Sequence, residues 1–300
     1  MRKYGHVRLL CSIFVLFVFA LSLYAFTLSY WNKKYYYLLA GRGKQNTLDL
    51  FAPAFKSNHS MSRKAVRAAY HKNKTVLGIQ NGYYINLQHR QDRRLQIEST
   101  LRNASIPFER IDAVNTRLDE NKHLIANCFD QKACPGQVGC QLSHLKALHT
   151  AMTRNVDHIA IFEDDFVFHS YVDHAMVQHA IRETMFRIPH WDVIALSLNI
   201  LSETVWTNIT IPFSSTFTAG ISQIHDAQTT GGYIARKSII PDLYAAFAEC
   251  DVKRDYYTAI DQCWKPLQRR YIWIGFEPQP GTQGQSFSDI EQRHVNYELQ

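Results

Sequence analysis

The chain has 300 residues and a formal net charge of +7, of which Arg2, Lys3, Arg8, Lys33 and Lys34 supply five. The rest is near +2 with no long basic run, which excludes the clustered electrostatic footprint of a nucleic-acid binder. No internal repeat or low-complexity segment breaks the chain.

Leu9 to Trp31 is an apolar run without a charged side chain, and about 20 such residues cross a bilayer as a helix. A cleaved signal peptide has a shorter apolar stretch, about 7–15 residues, and a small-x-small cleavage site. Neither is found, so an uncleaved anchor is expected, with Trp31 and Tyr35 to Tyr37 at the membrane interface. Residues 1–8 are then a cytoplasmic tail, 9–31 the transmembrane signal anchor, 32–74 a stem and 75–300 the globular domain. Basic residues flank the run on both sides, so charge gives only a weak vote on orientation. Four N-x-Ser/Thr acceptor patterns, at Asn58, Asn73, Asn103 and Asn208, favour a luminal domain.

Within the domain, Gly82 to Leu87 reads as a strand, Asp92 to Ala104 as a helix and Phe108 to Val114 as a second strand. Leu142, Leu145, Leu148 and Met152 recur at helical spacing, which predicts a helix over Gln141 to Arg154 with one apolar stripe. His158 to Phe162 and Asp192 to Leu198 read as strands, with a helix around Met176 to Ile181 between them. Further helices are expected over Lys237 to Ala248 and Asp255 to Gln268, then a strand over Tyr271 to Phe276. Alternation of this kind points to an α/β domain with a mostly parallel sheet. Beyond Cys11, which falls in the apolar run, five cysteines remain. Cys128 with Cys134 and Cys250 with Cys263 are candidate local disulfides in an oxidising lumen, and no Cys/His spacing suggests zinc.

Three segments carry candidate chemistry. Glu163-Asp164-Asp165 directly follows the strand HIAIF, where open α/β sheets place ligands. Clustered carboxylates repel unless neutralised, and Mg²⁺ or Mn²⁺ takes oxygen ligands and bridges to diphosphate oxygens. An acidic helix start is the plain structural alternative. Asn86 to Arg94 joins a strand to a helix with three arginines in five residues, a pattern suited to phosphate, or to a solvated helix start capped by Asp92. Gly136 to His144 reads as a loop entering the striped helix, with Gly139 allowing close backbone approach and Ser143 and His144 lining a polar pocket, or with His144 a hydrogen-bonded structural residue rather than a catalyst.

Together these segments resemble glycosyltransferase family 25, which includes bacterial lipooligosaccharide galactosyltransferases and animal collagen galactosyltransferases. The matching stretches are INLxxRxDRR (Ile85 to Arg94), GxxGCxLSH (Gly136 to His144), IFEDD (Ile161 to Asp165) and WDVI (Trp191 to Ile194). GGYIARKS (Gly231 to Ser238), Asp261 with its flanks and QSFSDIE (Gln285 to Glu291) extend the resemblance over about residues 80 to 291.

That resemblance implies a GT-A-like nucleotide-sugar-binding domain and metal-dependent transfer of a hexose, galactose by expectation, from a UDP-sugar with inversion. Glu163 and Asp165 would hold Mn²⁺ or Mg²⁺. Asn86, Arg90, Arg93, Arg94, Gly139, Ser143 and Asp164 would contact the donor. Asp261 is the expected base, with His144 as the weaker choice, or Asp261 helps hold the metal or caps its helix. The acceptor would be a glycan or glycoprotein, and the enzyme a single-pass type II protein of the Golgi or ER membrane. A glucosyltransferase of the same family is one alternative, and a catalytically inactive adhesion or recognition protein another. The terminal Tyr-Glu-Leu-Gln is not a KDEL-type signal, and Thr116 to Pro135 resembles an insertion beside the site. Both leave acceptor preference open.

Overall fold

The computed structural model describes residues 78–154, 156–254 and 258–295. The expected tail, span and stem, with Asn58 and Asn73, lie outside the described residues. Among the described residues no helix is long and apolar enough to cross a membrane. The chain runs β1 (Gly82–Asn86), α1 (Gln91–Asn103), β2 (Phe108–Asp112), a 3-10 turn (Asp119–Ile125), α2 (Cys134–Thr153), β3 (His158–Glu163), β4 (Phe166–Phe168) and α3 (His174–Arg187). It continues through β5 (Val193–Pro212), β6 (Thr218–Arg236), α4 (Ile240–Ala248), α5 (Ile260–Cys263), α6 (Lys265–Arg270), β7 (Trp273–Glu277), β8 (Gly281–Gln283), β9 (Ser286–Ser288) and β10 (Arg293–Val295).

Six strands form the main sheet in the order β2-β1-β3-β6-β5-β7. β1 lies parallel to β2 and β3, β5 lies parallel to β7, and β6 opposes both β3 and β5. All but β6 therefore share one direction, giving the expected α/β architecture. The period-2 alternation of each strand divides the core in two. Tyr83, Ile85, Ile159, Ile161 and Tyr233 face one buried cluster with α2, α4 and Trp264. Tyr84, Ala160, Phe162 and Ile234 face the other with α1 and α3.

Several elements differ from the sequence expectation. α2 begins at Cys134, so Gly136 to His144 is not a loop but the first turns of the helix, with Pro135 in its first turn. Its buried face is also rotated. Gln137, Gln141, His144, Leu148 and Ala151 are buried, whereas Leu142 and Leu145 are half-buried and Met152 is 37% exposed. Gln141 is tolerated there because its amide donates to the Phe247 and Cys250 carbonyls, each at 2.7 Å. The strand expected to end at Leu198 runs to Pro212 and forms a long hairpin with β6. Register shifts between Ala195 and Thr210 bend that hairpin, and β6 returns to pair with β7 over Gly220 to Ile224. The helix expected over Asp255 to Gln268 is instead two short ones, α5 and α6, with Pro266 in the first turn of the second.

Cys128–Cys134 and Cys250–Cys263 are both disulfides, with Cα atoms 5.7 Å apart in each pair. Cys140 is the free cysteine among the described residues. Asn103 and Asn208 are exposed on α1 and β5.

Candidate functional site

From β1 the chain passes to β2 on one side and later to β3 on the other, so the order reverses between β1 and β3. A crevice opens at the carboxyl ends of strands at such a switch point. Asn86 ends β1 and Glu163 ends β3, and a cleft of about 400 Å³ lies beside them. Glu163, Asp164, Asp165, Arg93, Gly139, Cys140, Ser143 and His144 line it. Asn86, Arg90, Arg94 and Asp261 do not.

The three adjacent acids have different partners. Asp164 is buried and accepts from Arg93 Nη1 at 2.7 Å and from Asn86 Nδ2 at 2.8 Å. Burial still raises its carboxyl above the ordinary range, outweighing Arg93 and Asn86. Glu163 accepts from Thr230 Oγ1 at 2.5 Å and Gln283 Nε2 at 3.1 Å, and His144 Nε2 lies 3.3 Å away. Burial pushes the Glu163 carboxyl up, but His144 and Thr230 more than reverse this and hold it below its usual value. Asp165 is the opposite case. Burial first, and then the charge of Glu163, push it up to about 7.

Glu163 and Asp165 share Gln283 Nε2, at 3.1 and 3.4 Å, so one amide hydrogen-bonds both carboxylates. A half-buried carboxylate beside a buried one whose ionisation it opposes, around one neutral donor, suits a hard divalent cation. The residues present therefore fit the expected metal pair. Arg93 Nη1, 3.5 Å from Asp165 Oδ2, is the adjoining cationic group.

The remaining polar residues hold this arrangement in place. Asn86 is 1% exposed and donates to both Asp164 and the Arg90 carbonyl, while Arg110 Nε donates to its Oδ1. It braces the site from behind the cleft. Arg90 pairs with Asp92 and Asp289 and, with Arg93, donates to the Phe287 carbonyl at 3.1 and 3.0 Å. The two arginines thus fasten the segment around Phe287 to Ile290 over the cleft. Arg94, expected at the nucleotide, pairs with Glu98 at 2.9 Å along α1 instead. Adjacent helical residues project about 100° apart, so Arg93 and Arg94 leave the helix on different sides.

α2 approaches closely because two positions lack a Cβ. A Cβ on Gly139 would stand 2.7 Å from the Val114 carbonyl, and one on Gly136 would stand 2.5 Å from Ile290 Cα. Ser143 Oγ donates to the Gly139 carbonyl at 2.6 Å and accepts from Val114 N at 2.9 Å, a structural bridge rather than a free hydroxyl. His144 is 1% exposed, with Nδ1 3.3 Å from the Tyr233 hydroxyl. Thr116, Arg117 and Pro135 also line the cleft, so both ends of the Thr116 to Pro135 segment border it.

Asp261 stands just beyond the lining, at the start of α5, where its Oδ2 accepts from Thr229 N at 2.9 Å. Thr229 has a φ of 61°, unusual for a β-branched residue, and its neighbour Thr230 is the one bonded to Glu163. Two consecutive residues of β6 therefore connect Asp261 to the carboxylate pair. The charges of Glu163, Asp261 and Asp165, after burial, push the Cys140 thiol well above its ordinary value.

Gln283, Thr230 and Tyr233 escaped the sequence reading. The signal was faint: a polar Thr-Gln-Gly run just before QSFSDIE, Thr-Thr just before GGYIARKS, and Tyr233 as its aromatic third residue.

The sequence profile of glycosyltransferase family 25 (LPS biosynthesis protein) matches residues 79–263. Over 91 residues the chain is 35% identical to a Haemophilus influenzae protein named as a glycosyltransferase, covering 29% of this chain and 32% of that one. Over 125 residues it is 30% identical to procollagen galactosyltransferase 1-A of Xenopus laevis, covering 38% and 20% of the two. Over 164 residues it is 25% identical to inactive glycosyltransferase 25 family member 3 of Mus musculus, covering 51% and 28%. The matched stretches thus span about a third or less of each relative's length.

Proposed function

The chain belongs to glycosyltransferase family 25, and on that footing we propose that it is a metal-dependent, inverting hexosyltransferase with a GT-A-type domain. It moves galactose from a UDP-sugar to a hydroxyl of a glycan or glycoprotein. The observation that carries this reading is the opposed carboxylate pair Glu163 and Asp165 in a switch-point cleft, bridged by Gln283. A catalytically idle descendant has no physical need to keep Glu163 beside a buried Asp165 at a cost in the ionisation of Asp165.

Glu163 and Asp165 would hold the cation, which would supply charge compensation for the departing diphosphate. The side chains do the rest. Arg93 and Asn86 lock Asp164, which fixes the backbone that carries both ligands. His144, Thr230 and Gln283 orient Glu163. The acceptor oxygen attacks the anomeric carbon as the bond to UDP breaks, and Asp261 receives the acceptor proton. Its tie to Thr229 supports that role by holding the carboxylate next to the strand that anchors Glu163. Placement in a Golgi or ER membrane, type II with a luminal domain, belongs to the same proposal. It is supported by the apolar run Leu9 to Trp31 and by the exposed Asn103 and Asn208.

The test is UDP release by the purified full-length protein across a panel of UDP-sugars, with Mn²⁺ and with EDTA. EDTA-sensitive release with UDP-galactose is the expected result, and release with UDP-glucose alone moves the assignment to a glucosyltransferase. No turnover, together with no UDP-sugar binding by calorimetry, moves it to a recognition protein. Asp165→Ala should abolish transfer in a folded protein. Asp261→Asn should abolish transfer while leaving UDP–Mn²⁺ affinity largely intact, and a large loss of that affinity would reassign Asp261 to the donor or the metal.

A further inference from the structure

The cysteine and histidine spacing suggests no zinc in the sequence, yet the helix changes this: Cys140 and His144 stand four residues apart on α2, a spacing that places both on one face. Glu163 faces them from the end of β3. One ligand atom from each of the three, the thiol sulfur, an imidazole nitrogen and a carboxylate oxygen, lies within 4.8 Å of the others. All three residues line the cleft, so an ion has a path to them.

We propose that Cys140, His144 and Glu163 form a binding site for a thiophilic divalent cation of the Zn²⁺ class, which shares Glu163 with the all-oxygen pair Glu163 and Asp165 but differs from it in chemistry. Bonds of about 2.0–2.3 Å to a tetrahedral ion place its donors roughly 3.5 Å apart. His144 Nε2 and Glu163 Oε1 already stand 3.3 Å apart, close to that spacing, and the Cys140 thiol lies within 4.8 Å of ligand atoms of both residues. Three protein donors leave a fourth position for water, and the cleft provides it. Thiolate and imidazole select Zn²⁺ over Mn²⁺ or Mg²⁺, which prefer oxygen.

The surroundings are those of a supported ligand set. Tyr233 Oη lies 3.3 Å from His144 Nδ1 and receives its N–H once Nε2 binds the ion. Thr230 and Gln283 satisfy the other lone pairs of Glu163. The protons balance simply. Cys140 loses its thiol proton to water, and His144 binds the ion through Nε2 with an N–H left on Nδ1.

Co²⁺ titration of the full-length protein tests the site in a Cys11→Ser background. The titration is anaerobic and without thiol reductant, so that both disulfides stay intact. A near-ultraviolet thiolate-to-Co²⁺ charge-transfer band saturating at one ion per chain is expected, and Zn²⁺ should bleach it. Cys140→Ser should remove the band, and His144→Gln should weaken Co²⁺ binding at least tenfold. Asp165→Asn should leave the band in place. No band in the starting protein, or a band that survives Cys140→Ser, overturns the assignment. Should Cys140→Ser fail to fold, maleimide labelling of Cys140 gives the same decision. Protection by Zn²⁺ but not by Mn²⁺ supports the site, and equal labelling with and without Zn²⁺ overturns it. None of these readouts depends on sugar transfer, so their failure leaves the proposed reaction standing.

Discussion

Replacing Arg93 by Met isolates the ion pair beneath the cleft. Arg93 is 8% exposed, and its guanidinium donates to Asp164 at 2.7 Å and holds the Phe287 carbonyl at 3.0 Å. Two unit charges about 4 Å apart at an effective dielectric of about 20 attract by about 4 kcal/mol. Burial of Asp164 works against this, since its carboxyl lies above the ordinary range even beside the arginine. Removing Arg93 leaves that carboxylate with Asn86 as its remaining donor. The expected loss is about 3–5 kcal/mol, the usual cost of breaking one half of a buried pair. Adding Asp164→Asn should recover more than half of it by removing the stranded charge, leaving about 1–2 kcal/mol for the lost contact to Phe287. Urea unfolding of the two single variants and the double variant, closed as a cycle, measures the coupling directly. A loss below about 1 kcal/mol for Arg93→Met, or a double variant whose losses simply add, refutes the reasoning.

Three further outcomes follow from other contacts. Gln283→Leu removes the amide shared by Glu163 and Asp165 and should weaken Mn²⁺ binding by about 10–100-fold in calorimetry; unchanged affinity would rule out that pair as the cation site. Cys250→Ser with Cys263→Ser opens a loop with a sequence separation of 13 and should cost about 3 kcal/mol in denaturant. Because Asp261 lies inside that loop, kcat should fall more than KM rises, and an unshifted unfolding midpoint would count against the constraint. Burial lowers the pKa of His158, whose Nε2 donates to the Gly78 carbonyl at 2.9 Å. The folded protein thus binds the proton less readily than the unfolded chain. This stabilisation is complete above the ordinary value of 6.5 and is lost as pH falls through the depressed folded value. His158→Gln should flatten the acid limb of Tm against pH, and an unchanged limb would assign it to other groups.

The strands that carry the site were readable because β1 and β3 are short apolar runs buried on both faces, and each ends in polar residues. Their adjacency was not readable from periodicity, since it is created by pairing between residues such as Ile85 and Glu163. Gly136 and Gly139 suggested a loop because glycine usually marks one. Here they are helical positions whose missing Cβ lets the Ile290 segment and Val114 approach. The leucine stripe of α2 misled for a related reason. The site requires His144 and Gln141 to face inward, and hydrogen bonds make that affordable. β6 was missed because its bulged, Thr- and Gln-rich sequence lacks alternation. Arg93 and Arg94 were indistinguishable in sequence, and only the packing of α1 decides which one meets Asp164.

The bent hairpin has a consequence for how this sheet meets other molecules. An open sheet has two margins, each a row of unpaired backbone donors and acceptors on which a foreign strand can grow. One margin is β2, a five-residue strand carrying Glu109, Arg110 and Asp112, where charge and brevity discourage such growth. The other would be β7, flanked on one side by β5 through Val193 and Ile194. The returning arm of β6 occupies its other side from Gly220 to Ile224. The register shifts that look like flaws in β5 are therefore what lets the chain cover its own edge. Trimming the arm would uncover β7 and give neighbouring chains a template for aggregation.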